Sequence, residues 1–113
     1  MLLTKSELKS KQAQLRKSAK NRNIAFDLSV KDLDKLFRSQ THCYYFGSVL
    51  LKEFTSVDRK DSSKGYTVSN IVLCHKKAND LKNQLFENQN TKISKIELNH
   101  FFNKLIEKDL TQL

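Results

Sequence analysis

The chain has 113 residues and a mass of 13.2 kDa, enough for one small hydrophobic core. Twenty-one Lys and Arg against twelve Asp and Glu give a net charge of +9, so we expect a polyanionic partner, with nucleic acid first. The longest apolar runs fall far short of the roughly 20 residues that a membrane-spanning helix needs, and the chain turns polar at Thr4 without a secretory signal, so we expect an intracellular, cytoplasmic protein with no membrane partner.

The first 22 residues predict a basic helical arm. The sequence Thr4-Lys5-Ser6-Glu7 is a capping box, which is typical of a helix start. Its apolar positions are sparse, while Glu7 is its one acidic residue. Either the charged side chains form an ordinary solvent-exposed face, or the arm contacts phosphates. The near absence of acidic residues favours the second interpretation. The candidate nucleic-acid-binding residues of the arm are Lys9, Lys11, Arg16, Lys17, Lys20 and Arg22.

Two short elements follow the arm. Residues 23–28 alternate apolar and polar side chains, which predicts a short strand or extended segment. Ser29 is then placed to cap a helix over residues 30–39. The apolar face of that helix is formed by Val30, Leu33, Leu36 and Phe37.

The central region predicts a strand, a loop, a second strand and a helix. Residues 41–54 are rich in aromatic and aliphatic side chains and are expected to form a loop or short strand, a turn, and a strand that reaches Val57. A polar loop leads to Gly65, and Ile71 to Cys74 form the second strand. Helical character returns from His75 to Phe86. The fold class predicted by this order is α+β.

The C-terminal part predicts a polar linker and an amphipathic helix. Residues 87–92 read as a linker, and Ser94-Lys95-Ile96-Glu97 is a second capping box. The helix, over residues 93–110, either packs against the rest of the same chain or makes a homodimer contact. Its apolar side chains at helical spacing are Leu98, Phe101, Phe102, Leu105 and Ile106.

Three polar residues in the central region are candidates for chemistry. Asp58 ends the first strand, and Asn79 follows 21 positions later on the helix. If the strands pair and the helix folds back on them, these side chains converge as oxygen ligands, which suit Mg²⁺ or Mn²⁺. Asn70 is placed to bond backbone groups across the loop between the strands. All three residues also suit ordinary turns and caps, and spacing alone does not decide between the two interpretations.

Four motifs in order resemble the HNH endonucleases of the ββα-metal (His-Me finger) superfamily, especially small phage-type forms. They are Asp58-Arg59-Lys60-Asp61, Lys64-Gly65-Tyr66-Thr67, Asn70-Ile71-Val72 and Asn79-Asp80-Leu81-Lys82. The resemblance covers roughly residues 17–87 and implies a ββα-metal core within a domain spanning 23–87. It also implies a metal-dependent DNA endonuclease in which Asp58 and Asn79 hold the metal and Asn70 is the central structural asparagine.

One departure from the family pattern concerns catalysis. Arg59 stands where the typical member has the histidine that activates water, and Arg has no acceptor and stays protonated. In one interpretation the site still cleaves DNA, with Arg59 binding the scissile phosphate and Tyr66 or His75 transferring the proton. In the other, cleavage is lost and the chain is a DNA-binding protein. Further phosphate contacts are expected from Lys60, Lys64, Lys76, Lys77 and Lys82.

A second departure concerns zinc. Many relatives carry two Cys-x-x-Cys pairs, and the matching positions here read Cys43-Tyr44-Tyr45-Phe46 and His75-Lys76-Lys77-Ala78. A structural zinc site needs four ligands, so we expect no structural zinc. Two cysteines in a basic chain without a signal peptide do not indicate a disulfide framework, and both thiols are expected to be reduced.

Overall fold

In the part of the chain that the structure describes, the fold combines four α-helices with four short strands. A computed structural model describes residues 1–87 and 93–111, and within these ranges the protein is a small α+β fold. It divides into two units, Met1–Asp80 and Leu81–Leu113, and the boundary falls inside the third helix. The elements are α1 (Lys5–Arg22), β1 (Phe26–Asp27), α2 (Val30–Ser39), β2 (Thr55–Arg59), β3 (Tyr66–Thr67), β4 (Ile71–His75), α3 (Lys76–Lys82) and α4 (Lys95–Thr111).

Helix α1 begins at the predicted capping box and is part of the core of the first unit. The Glu7 amide donates to Thr4 Oγ1 at 3.1 Å, and the Thr4 amide donates to Glu7 Oε1 at 2.9 Å. Leu8, Leu15 and Ala19 are all buried and belong to the main hydrophobic cluster. Three apolar positions on one side are enough to dock this helix, since only that side faces the core. The expected arm is therefore a packed helix that contacts α2.

A close backbone contact joins the segment after α1 to the end of the central loop. β1 pairs in parallel with β3, with Phe26 opposite Tyr66. The Tyr66 amide donates to the Ala25 carbonyl at 2.9 Å. A Cβ atom at Gly65 would lie 2.3 Å from that same carbonyl oxygen, so only glycine permits this approach. The short strand predicted over residues 23–28 is present, and Ser29 caps α2 as predicted.

The central hairpin consists of β2 and β4 in antiparallel pairing. Val57 lies opposite Leu73, and Asp58 lies opposite Val72. β2 extends to Arg59, two residues past the expected end, because the ladder continues to the Arg59–Ile71 pair. Leu73 and Cys74 of β4 are fully buried, and α3 follows directly at Lys76. The strand, loop, strand and helix order matches the prediction from sequence.

The second unit contains the C-terminal helix. α3 ends at Lys82 and gives way to a π-helical turn over Asn83–Glu87, so the expected helix to Phe86 loses its regular form four residues early. α4 begins after a capping box in which the Glu97 amide donates to Ser94 Oγ at 3.1 Å. Most of the predicted linker, residues 88–92, lies outside the described residues. Within the described ranges, none of the helices is long and apolar enough to cross a bilayer.

Candidate functional site

Alternating burial along β2 gives this strand two chemically different faces. Thr55, Val57 and Arg59 are buried, while Ser56 and Asp58 between them are half-buried. Successive side chains of a strand point to opposite faces, so Ser56 and Asp58 share one face and Arg59 lies on the other. The candidate metal ligand and the candidate phosphate clamp, adjacent in sequence, are therefore separated by the strand.

Asp58 is held by a tyrosine from the turn before β2. The Tyr45 hydroxyl donates a hydrogen bond to Asp58 Oδ2 at 2.6 Å. Burial, together with this bond and the nearby Asp58 charge, raises the pKa of Tyr45 well above its usual value, so the phenol stays protonated and remains a donor. Tyr45 is not among the site residues predicted from the sequence, since its contact with Asp58 spans 13 residues.

Asn79 lies on the same side of the hairpin as Asp58. Asn79 Nδ2 donates to Ser56 Oγ at 3.4 Å, which places the α3 side chain against the Ser56 and Asp58 face of β2. A carboxylate and an amide oxygen are hard donors of the kind that Mg²⁺ and Mn²⁺ accept. The described residues contain no group of three or more His, Cys, Asp or Glu placed to hold a metal.

The loop between β2 and β3 is fixed by Asn70. Asn70 Nδ2 donates to the carbonyls of Asp61 (3.0 Å) and Gly65 (2.9 Å), and its Oδ1 accepts from the Asp61 amide at 3.0 Å. Asn70 is buried, and one amide side chain thereby satisfies three backbone groups of the loop. This is the bonding across the loop that the sequence predicts for Asn70, whereas a catalytic role for it stays a prediction.

Arg59 fixes the same loop from the other side. Arg59 Nη1 donates to the carbonyls of Ser62 (2.7 Å) and Lys64 (2.9 Å), and its guanidinium lies 5.4 Å from the centre of the Tyr66 ring. Arg59 is only 7% exposed. These contacts give Arg59 a structural role in the loop, and the contact with a scissile phosphate stays a prediction.

The two candidates for proton transfer have other partners. Tyr66 is buried, and its hydroxyl lies 3.4 Å from Ser18 Oγ of α1. His75 Nδ1 accepts from the Lys77 amide at 3.0 Å, in the manner of a cap for α3. The neutral His75 ring therefore carries its proton on Nε2, where it can donate but not accept. Neither arrangement favours a general base.

The Cys43 thiol accepts backbone hydrogen bonds and so organises the turn in which it lies. Cys43 and Cys74 are buried and are not joined by a disulfide. Cys43 Sγ accepts from the amides of Phe46 and His75, both at 3.3 Å. Burial alone would raise the pKa of the Cys43 thiol, but these amide hydrogen bonds outweigh it and lower the pKa. The backbone around Cys43 is thus organised by hydrogen bonds to sulfur.

The predicted phosphate-binding residues are largely exposed. Lys9 and Lys20 lie on the same flank of α1 as Arg16, whose guanidinium lies 5.1 Å from the centre of the Phe26 ring. Lys11 is half-buried, and burial followed by the nearby Lys76 charge lowers its pKa. Lys82 belongs to the second unit. The exposed members of the set are Lys9, Arg16, Lys17, Lys20, Arg22, Lys60, Lys64, Lys76 and Lys77.

Comparison with known proteins returns no relative. No protein-family model, no curated protein and no solved structure matches the chain. The functional interpretation therefore depends on the residues and contacts described above.

Proposed function

We propose that the protein is a metal-dependent HNH-type DNA endonuclease that hydrolyses phosphodiester bonds. The observation that carries the proposal is the placement of Asp58 and Asn79 on one face of a β-hairpin that is followed directly by a helix. The loop of that hairpin is held by Asn70 through three hydrogen bonds. A hairpin and helix with this asparagine in the loop supports the proposal of a ββα-metal core, which the resemblance of the sequence motifs implies.

Asp58 and Asn79 would hold one Mg²⁺ or Mn²⁺ ion in this proposal. Such an ion stabilises charge that develops on the scissile phosphate and lowers the pKa of bound water. Tyr45 positions Asp58 in this proposal, because the hydrogen bond from its hydroxyl to Asp58 Oδ2, at 2.6 Å, restricts the rotation of the carboxylate. Because its pKa is raised, the Tyr45 hydroxyl stays protonated and keeps donating to Asp58.

The proton of the attacking water is assigned to solvent or to a substrate phosphate oxygen in this proposal. Arg59 has no acceptor, and its Nη1 is engaged with two loop carbonyls. Neutral His75 uses its acceptor nitrogen on the Lys77 amide. A site without a side-chain base is slower than one with a base, by a factor of about 10² to 10⁴.

DNA is the proposed substrate because positive charge is concentrated in the unit that contains Asp58. Residues 1–80 carry sixteen Lys and Arg against eight Asp and Glu, and residues 81–113 carry five against four. Exposed Lys and Arg release counterions from the DNA backbone and steer it toward the surface. Lys60 and Lys64, both exposed, flank the loop that begins beside Asp58.

A catalytically inactive DNA-binding protein is the second candidate. It is favoured by Arg59, which replaces the expected base and serves the loop instead. A plasmid-nicking assay with Mg²⁺, Mn²⁺ or EDTA separates the two functions. Nicking that requires the metal supports the endonuclease, and DNA binding without nicking under every condition supports the second candidate.

A further inference from the structure

Helix α4 carries an exposed apolar stripe. We give this name to a set of residues that follow one another at i, i+3, i+4, i+7 and i+8 on one side of a 17-residue helix: Leu98, which is half-buried, and the exposed Phe101, Phe102, Leu105 and Ile106. Phe101 and Ile106 are 57% and 56% exposed, and the two phenylalanine rings contact each other edge to face, with centroids 5.6 Å apart. A continuous stripe that contains two aromatic residues is characteristic of an interaction surface.

The charges of α4 indicate the chemistry of what covers the stripe. The helix carries three Lys and three acidic residues, in a chain whose net charge is +9. A helix that lies on DNA or on an anionic bilayer needs an excess of Lys and Arg on its polar face. α4 has no such excess. It therefore suits a partner that is itself apolar on one side and balanced in charge on its borders, and another α4 has both properties.

The border of the stripe that carries Glu97 and Lys108 is complementary to itself in an antiparallel pair. Glu97 and Lys108 are 11 residues apart, which places them within about 20° of each other around the helix axis. Both therefore lie along the same border of the stripe. In an antiparallel pair centred between residues 102 and 103, Glu97 lies opposite Lys108 of the second copy, and the two-fold symmetry makes this contact twice. In a parallel pair the two-fold axis sets this border against the opposite border of the second copy, so Glu97 and Lys108 do not meet.

We propose that the protein forms a homodimer through an antiparallel pair of α4 helices, with Phe101 and Phe102 at the centre of the contact. Two helices of 17 residues bury less surface than a standard protein interface, so we expect a dissociation constant in the micromolar range, roughly 1–100 μM. The proposal rests on α4 alone and is independent of the proposed nuclease function.

The test is sedimentation equilibrium of the full chain over a micromolar concentration range. The expected result is a monomer–dimer equilibrium for the unaltered protein. Phe101→Gln combined with Leu105→Gln should raise the dissociation constant about 100-fold, because both anchors of the stripe lose their apolar contact. Ile96→Gln is the matched control, since Ile96 is 73% exposed but lies on the far side of the helix from the stripe.

A charge variant tests the orientation and leaves the apolar stripe intact. Lys108→Glu places two acidic side chains opposite each other in the antiparallel pair, and it should raise the dissociation constant about tenfold. Circular dichroism checks that each variant keeps its helix content. A protein that stays monomeric at every concentration would overturn the proposal, and so would an Ile96→Gln variant that dissociates as readily as the double variant. Unchanged association of Lys108→Glu would overturn the antiparallel orientation.

Discussion

Asp58 and Arg59 are consecutive residues of β2, yet their side chains lie on opposite faces of the strand. Asp58 accepts a hydrogen bond from the Tyr45 hydroxyl. Asn79 lies on the same face of the strand, where it donates a hydrogen bond to Ser56. Arg59 is buried on the other face and holds the loop carbonyls. Arg59 thus serves the shape of the loop, whereas Asp58 lies on the face to which the proposed function assigns the metal.

Replacing Arg59 tests its role in the loop. Arg59→Gln loses the hydrogen bonds to the Ser62 and Lys64 carbonyls, and the free energy of unfolding should fall by about 2 kcal/mol. Arg38→Gln is the control: it breaks an exposed pair with Asp34 and should cost under about 0.5 kcal/mol. Urea denaturation measures both. Equal stability of the two variants would mean that the loop does not depend on Arg59.

Tyr45→Phe removes one hydroxyl and keeps the ring. If Tyr45 positions the Asp58 carboxylate for a metal, kcat for DNA cleavage should fall by about 10- to 100-fold while the Kd for DNA is unchanged. Tyr44→Phe is the matched control, because Tyr44 is the exposed neighbour that packs edge to face against Tyr45. A loss of activity that is as large for Tyr44→Phe would argue against a specific role for the Tyr45 hydroxyl.

Local patterns predicted the ends of several elements correctly. The capping boxes at Thr4 and Ser94 mark the starts of α1 and α4, because a side chain that satisfies free amides acts within four residues. The same holds for Asn70, whose hydrogen bonds to the loop are short-range contacts. Each of these signals depends on residues that are close in sequence.

Contacts between distant residues were not predictable in this way. The Tyr45–Asp58 bond depends on how a turn folds back beside β2, and nothing in the sequence fixes that position. Arg59 points inward because of the register of the hairpin. From the motif alone, Asp58 and Arg59 would be expected to act in the same site, because they are adjacent in sequence. The docking of α1 is not apparent from the sequence, because its three buried residues form a narrow face in a highly charged segment.

The basic flank of α1 is tested by the salt dependence of DNA binding. Lys9→Gln combined with Lys20→Gln should reduce the magnitude of the slope of log K against log salt by about 2, because each phosphate contact contributes about 0.9. Lys31→Gln combined with Lys35→Gln, on the exposed side of α2, removes the same charge and should leave the slope nearly unchanged. An equal effect of both double variants would mean that α1 has no special position on the DNA.

Glu7 predicts a defined pH dependence of stability. Its hydrogen bond with Lys52, followed by that from the Thr4 amide, lowers the pKa of Glu7 from 4.5 to about 2. A carboxyl whose pKa is lower in the folded state stabilises the protein above about pH 4.5, and this contribution is lost as the pH falls toward 2. Glu7→Gln keeps a capping acceptor, so its Tm should be lower than that of the unaltered protein at pH 7 and equal to it near pH 2. In a Lys52→Gln background, which lacks the other partner of the ion pair, the Tm difference caused by Glu7→Gln at pH 7 should be smaller. A Tm difference between Glu7→Gln and the unaltered protein that persists unchanged at pH 2 would contradict this role of Glu7.

The most direct test of the proposed metal site is DNA cleavage and DNA binding measured together for Asp58→Asn. We predict that the unaltered protein nicks plasmid DNA with Mg²⁺ or Mn²⁺, and that Asp58→Asn lowers cleavage at least about 10³-fold, as expected when charge stabilisation at the phosphate is lost. Its affinity for DNA should match that of Asp27→Asn, which removes an exposed carboxylate of equal charge outside the site. Asp58→Asn cleavage at the rate of Asp27→Asn would contradict a metal site at Asp58.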